Sequence, residues 1–176
     1  MAQMLRARGF RVEQWSYVSL FKPIDKHAAR FTDFLHSKLA QEKRFHIVAH
    51  SMGSIVVQSA LSRSDVANLG RLVFLAPPNH GSPVARIASK WIGRILAPTR
   101  ELSDVRTSYV NQLKRNSALE VGVIAARFDL LVPIRSTHLA NEAAHVILNA
   151  THNSLLVSRK ASDLTARFLN NGFLSG

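Results

Sequence analysis

The 176-residue chain has 23 Lys and Arg against 11 Asp and Glu, a net charge of +12, with 47% hydrophobic and 19% charged residues. These values fit one globular domain with a substantial core, and the lack of cysteine excludes disulfides, thiolate metal sites and a cysteine nucleophile. Apolar runs such as Val121–Ala126 are far too short to cross a bilayer, and residues 1–10 hold arginines but no apolar signal-peptide stretch, so the default compartment is the cytoplasm.

Residues 2–8 are good helix formers and Gly9 is a natural stop. Residues 10–18, with Val12, Trp15, Tyr17 and Val18, read as a strand that Pro23 closes off. Ile24, Ala28, Phe31, Phe34, Leu35 and Leu39 recur at helical spacing and predict a helix over 24–40. An apolar strand over 45–50 runs into a turn at Ser51 and a helix over 52–61. A second apolar strand covers 72–76 and closes with Pro77-Pro78-Asn79-His80-Gly81-Ser82. Ser82 and Pro83 open an amphipathic helix, with Val84, Ile87, Trp91 and Ile95 on one face, Arg86, Lys90 and Arg94 on the other, and Pro98 at its end. Residues 99–119 read as polar helix and loop. Strands over 121–126 and 145–148 come next, and a helix over 155–169 ends at Asn171-Gly172. Strands alternating with helices make the fold class α/β with a mostly parallel sheet.

The stretch Ala49-His50-Ser51-Met52-Gly53, between a buried strand and a helix, resembles the G-x-S-x-G nucleophile elbow, with Ala49 in place of the first glycine. Small residues on either side of the serine suit the close passage of strand and helix. The run Ala76 to Ser82 resembles the segment that leads into the lid region of bacterial lipase-like hydrolases. On these residues the chain resembles a bacterial lipase or esterase of the α/β-hydrolase superfamily, shortened at the N-terminus. The resemblance implies a three-layer fold lacking the N-terminal strands, a single domain over 1–176, and a lid or cap insertion over 80–118. It also implies a preceding strand, lying between segment 10–18 and strand 45–50, whose His-Gly loop supplies an oxyanion N–H.

The same resemblance places the catalytic groups in the order Ser51, Asp129, His152, each in a loop after a predicted strand. Ser51 is then the nucleophile, His152 the base and Asp129 the acid that orients it, with Asp104 a second candidate acid that no predicted strand precedes. The Met52 N–H stands at the oxyanion position, and His50 and His80 lie near the substrate. No pair of the eight histidines shows a metal-binding motif spacing, so no metal is expected, and no cofactor is implied.

The expected activity is cleavage of carboxylic esters of small molecules or lipids through an acyl-enzyme. Acyl transfer, thioester hydrolysis, and a catalytically impaired hydrolase-like protein with a binding role are the alternatives. The basic balance favours anionic partners, and residues 82–98 could meet an anionic membrane surface. The bases are scattered, with adjacent pairs at Lys43-Arg44, Lys114-Arg115 and Arg159-Lys160 and no aromatic–basic alternation, which argues against nucleic acid as the partner.

Overall fold

A computed structural model describes residues 1–17, 23–39, 41–66, 68–80 and 119–174. Val18, residues 81–118 of the expected lid, its amphipathic helix and Asp104 lie outside the described residues. In chain order the elements are α1 (Ala2–Arg6), α2 (Ile24–Phe34), β1 (Phe45–His50), α3 (Met52–Leu61), β2 (Leu69–Leu75), β3 (Val121–Ala126), β4 (Ala144–Leu148) and α4 (Arg159–Asn171).

The four strands form one parallel sheet in the order β1-β2-β3-β4. Parallel strands are covered on both faces, which is why the segments of β2 and β3 read as continuous apolar runs. Alternate residues of β2 feed two separate cores. Leu72 and Phe74 join Val123 of β3 and Ile55, Val56 and Ala60 of α3 on one face, where Phe31 and Leu35 close the layer. Val73 and Leu75 join Ile124, Leu155, Leu164 and Phe168 on the other, under α4. The sheet is thus the middle of three layers.

Close packing has used small residues at two points. An added Cβ at Gly122 on β3 would stand 3.1 Å from the Phe168 ring, and one at Gly70 would stand 2.7 Å from the His46 ring. The closing helix α4 is capped at both ends. Ser158 Oγ accepts from the Ala161 N–H at 3.1 Å, and Gly172 takes the left-handed conformation, φ +83°. Arg71 Nη1 donates to the carbonyls of Leu169 and Asn170 at 3.0 and 2.9 Å, and so ties the helix end to β2.

Three sequence expectations are corrected. The helix predicted over 24–40 is α-helical only to Phe34 and continues as a π turn over Leu35–Leu39. The closing helix begins at Arg159, because Asn153–Leu156 forms a separate 3-10 turn and Ser158 is the N-cap of α4. Residues 10–17 form no strand: their aromatic side chains pack, Trp15 against Phe31 at 5.0 Å and Tyr17 against His27 at 4.5 Å between ring centroids, but their backbone joins no ladder. β-forming composition reports side-chain packing on a pleated surface, and a strand also needs a neighbour to pair with. Between this segment and β1 lies a cavity of about 540 Å³, walled by Val12, Trp15 and Tyr17 on one side and Ile47, Val48 and Ala49 on the other. Among the described residues β1 is therefore an edge strand, and the cavity lies where the resemblance implies a further strand.

Candidate active site

The site stands at the carboxyl ends of β1, β3 and β4, the edge at which parallel sheets bind ligands. β1 ends in a sharp turn whose central residue, Ser51, has φ +53° and ψ −130°. Few non-glycine residues accept that region, and the strain costs on the order of 1–3 kcal/mol. Neighbouring bonds hold it in place. The Ser51 N–H donates to Leu75 O at 2.8 Å, and the Ser51 carbonyl accepts from Ser54 Oγ at 2.6 Å and Ser54 N at 3.0 Å. The turn thus frees the Ser51 side chain from the sheet and starts α3 at Met52. The Met52 N–H belongs to the first turn of α3, where the helix supplies no acceptor of its own. At Gly53 an added Cβ would meet Ala49 Cβ and Tyr17 Oη only at 4.0 Å, so this glycine is not demanded by space.

Asp129 lies in the loop after β3, and its side chain is almost wholly buried. Its Oδ1 accepts from the N–H groups of Leu131 and Val132, both at 2.8 Å. Its Oδ2 lies 2.6 Å from His152 Nδ1. His152 sits after β4, before the 3-10 turn of Asn153–Leu156, and is buried. Its Nε2 lies 2.9 Å from Ser51 Oγ. Three loops well separated in sequence thus meet in one chain of hydrogen bonds from carboxylate to imidazole to hydroxyl.

The structure places His50 against this chain. His50 Nε2 lies 3.1 Å from the His152 carbonyl oxygen, and the two rings are 4.7 Å apart. A carbonyl can only accept, so His50 donates from a protonated Nε2. Burial, chiefly, pushes the His50 pKa below its ordinary value, so the ring is neutral near pH 7. His80 lies on the turn after β2, exposed, with its N–H donating to Ser136 O at 3.1 Å. Beside it is an element that sequence reasoning missed. The buried Asn79 accepts from Gln58 Nε2 at 2.8 Å and donates to Thr137 O at 2.9 Å. That bond network ties α3 and the turn after β2 to the loop before β4. The signal was a polar Gln58 within an apolar helix, which asks for a buried partner.

The structure also brings His138 and His145 beside Glu142, a grouping that no motif spacing among the eight histidines announces.

No protein-family model and no curated protein matches the sequence. Solved structures do match. Phospholipase PlaB from Legionella pneumophila superposes on 96% of this chain with a TM-score of 0.78 and 15% identity, over 55% of its own length. The mature lipase BlEst2 of Bacillus licheniformis matches 85% of this chain and 74% of its own at 18% identity and a TM-score of 0.65. A monoacylglycerol lipase from Paleococcus ferrophilus matches 95% of this chain and 86% of its own at 11% identity and a TM-score of 0.62. The chain spans 35% to 55% of the phospholipase's length in its two structures. The chain has the α/β-hydrolase fold, and the solved structures that share it include lipases, esterases and other serine hydrolases.

Proposed function

We propose that this chain hydrolyses carboxylic esters through an acyl-enzyme on Ser51. The observation that carries the reading is the Asp129–His152–Ser51 chain of hydrogen bonds, at 2.6 and 2.9 Å. Ser51 Oγ attacks the acyl carbon as His152 Nε2 takes its proton. Asp129 keeps the His152 proton on Nδ1 and stabilises the imidazolium that forms. The Met52 N–H, at the positive end of α3, donates to the oxyanion. The imidazolium then passes its proton to the leaving alkoxide, and the ester's acyl group stays on Ser51. Water, deprotonated by His152, attacks that acyl group, releases the acid and restores the serine. Donation by His50 makes the His152 carbonyl a fixed point and holds the base in position.

Lipid esters are the substrate class we favour, because lipases and a phospholipase are among the structural neighbours and the net charge of +12 suits an anionic lipid surface. A second reading, a hydrolase-like protein with impaired catalysis and a binding role, draws on the edge of β1 beside the elbow, which no strand among the described residues pairs. A fluorophosphonate probe separates the two. Labelling that is lost in Ser51→Ala supports the hydrolase. Folded protein that takes up no probe refutes it.

A further inference from the structure

Away from Ser51, the described residues bring together one more set of ligating side chains. His138, Glu142 and His145 each offer a donor atom within 4.8 Å of the others. His138 and Glu142 lie on the segment that joins the 3-10 turn Ile134–Ser136 to β4, His145 is the second residue of β4 itself, and the local geometry fixes two of the three. Glu142 Oε2 accepts from the Leu139 N–H at 2.9 Å, which orients the carboxylate and leaves Oε1 toward His138 Nδ1 at 2.7 Å. Thr137 donates its single hydroxyl hydrogen to Ile134 O at 2.7 Å, so toward His145 Nε2, at 2.8 Å, it can only accept. His145 therefore carries its proton on Nε2 and presents a bare lone pair on Nδ1.

A histidine whose far nitrogen donates to a fixed acceptor, leaving the near one unprotonated, is the arrangement that metal-binding histidines use to set tautomer and ring orientation. The His138 ring stacks on that of His145 at 4.0 Å and 14°, which sets their in-plane lone pairs side by side, so the His138 ring must turn out of the stack for both to reach one ion.

We propose that His138, Glu142 and His145 form a structural site for a late first-row divalent cation of the Zn²⁺ type, clamping the loop before β4. Two imidazoles and a carboxylate suit Zn²⁺ and do not suit Ca²⁺ or Mg²⁺, which prefer all-oxygen sets. Bonds of about 2.0–2.2 Å in a tetrahedron put ligand atoms about 3.3 Å apart. The 2.7 Å His138–Glu142 contact must open and the wider separations must close, and the half-exposed His138 side chain can swing to do both. The proton between Nδ1 and Oε1 moves to the other ring nitrogen of His138, and water fills the fourth position. The clamp acts on a loop already tied to the turn after β2, because the Thr137 carbonyl accepts from Asn79 and the Ser136 carbonyl from the His80 N–H.

The test is calorimetric titration of the full metal-free chain with Zn²⁺, with thermal melts alongside. The expected result is saturable binding of one equivalent and a Tm rise of about 5 °C at a roughly hundredfold excess over Kd. His138→Ala and Glu142→Gln should each weaken binding by more than about tenfold, with metal-free melting points near that of the parent. Asp129→Asn should bind Zn²⁺ as the parent does, which places the cation away from Ser51. Absence of saturable binding, or binding that survives in both His138→Ala and Glu142→Gln, overturns the proposal. Neither outcome depends on ester hydrolysis.

Discussion

Replacing Asp129 by Asn tests the proposed hydrolase at its most constrained bond. Asp129 Oδ1 is held by two backbone donors at 2.8 Å, from Leu131 and Val132. An asparagine must keep its carbonyl oxygen there, because its NH₂ would face two N–H groups. The NH₂ is then forced to the Oδ2 position, 2.6 Å from His152 Nδ1, where it can only donate. His152 must accept on Nδ1 and carry its proton on Nε2, facing Ser51 Oγ. In that tautomer it cannot take the serine proton. The wrong tautomer in such a chain costs roughly 10⁴-fold in kcat, about 5.4 kcal/mol of barrier. The assay is steady-state hydrolysis of a short-chain p-nitrophenyl ester, with circular dichroism melts to confirm folding. The expected outcome is a Tm within a few degrees of the parent and a kcat lower by about four decades. A folded Asp129→Asn variant that loses less than about tenfold in kcat would refute the tautomer argument.

The same geometry sets further outcomes. Ser51→Gly should melt higher, by about 1–3 kcal/mol of stability, because glycine relieves the positive-φ strain, and should lose probe labelling. Gly122→Ala should destabilise by about 1–3 kcal/mol in urea unfolding, since its methyl would press on the buried Phe168 ring at 3.1 Å. Ser158→Ala should cost about 1 kcal/mol by the same measure through loss of the cap on the Ala161 N–H. His50, His46 and His145 all have folded pKa values held below the ordinary 6.5, chiefly by burial. The unfolded chain takes up protons there before the folded one does, so stability is full above about pH 6.5 and falls as pH drops toward the folded values. Melts between pH 8 and about pH 5 should show that slope, shallower in His50→Gln, which keeps a donor for the His152 carbonyl.

The α/β class and the parallel sheet could be read from the chain because each strand was written locally, whereas Asp129 and His152 were singled out through the resemblance to α/β-hydrolases. Apolar runs gave the strands, and the turn at Ser51 had small neighbours on both sides. Segment 10–17 misled because Trp15 and Tyr17 are β-formers whose packing partners, Phe31 and His27, belong to a helix. Strand pairing is a property of two segments, and no single stretch declares it. The contact of His50 with the His152 carbonyl spans 102 residues, and the Gln58–Asn79–Thr137 network joins three elements; neither has a spacing rule. The grouping of His138 with His145 depends on how a loop folds back onto β4, so no fixed histidine spacing announces it.

The edge of β1 bears on how firmly the elbow is held. In a parallel ladder successive residues point their N–H groups to opposite sides. The Ser51 N–H reaches Leu75 and the Phe45 N–H reaches Asn68, both on the β2 side. The amides of His46, Val48 and His50 therefore turn toward the cavity, where no described strand receives them. In hydrogen-exchange labelling these alternate positions should exchange fast and their neighbours slowly, a two-residue rhythm along one strand. Whatever closes that edge would slow the three amides together. It would also give the strand behind Ser51 a second rail, so the strained turn would be held from both sides, where among the described residues only β2 pairs with that strand.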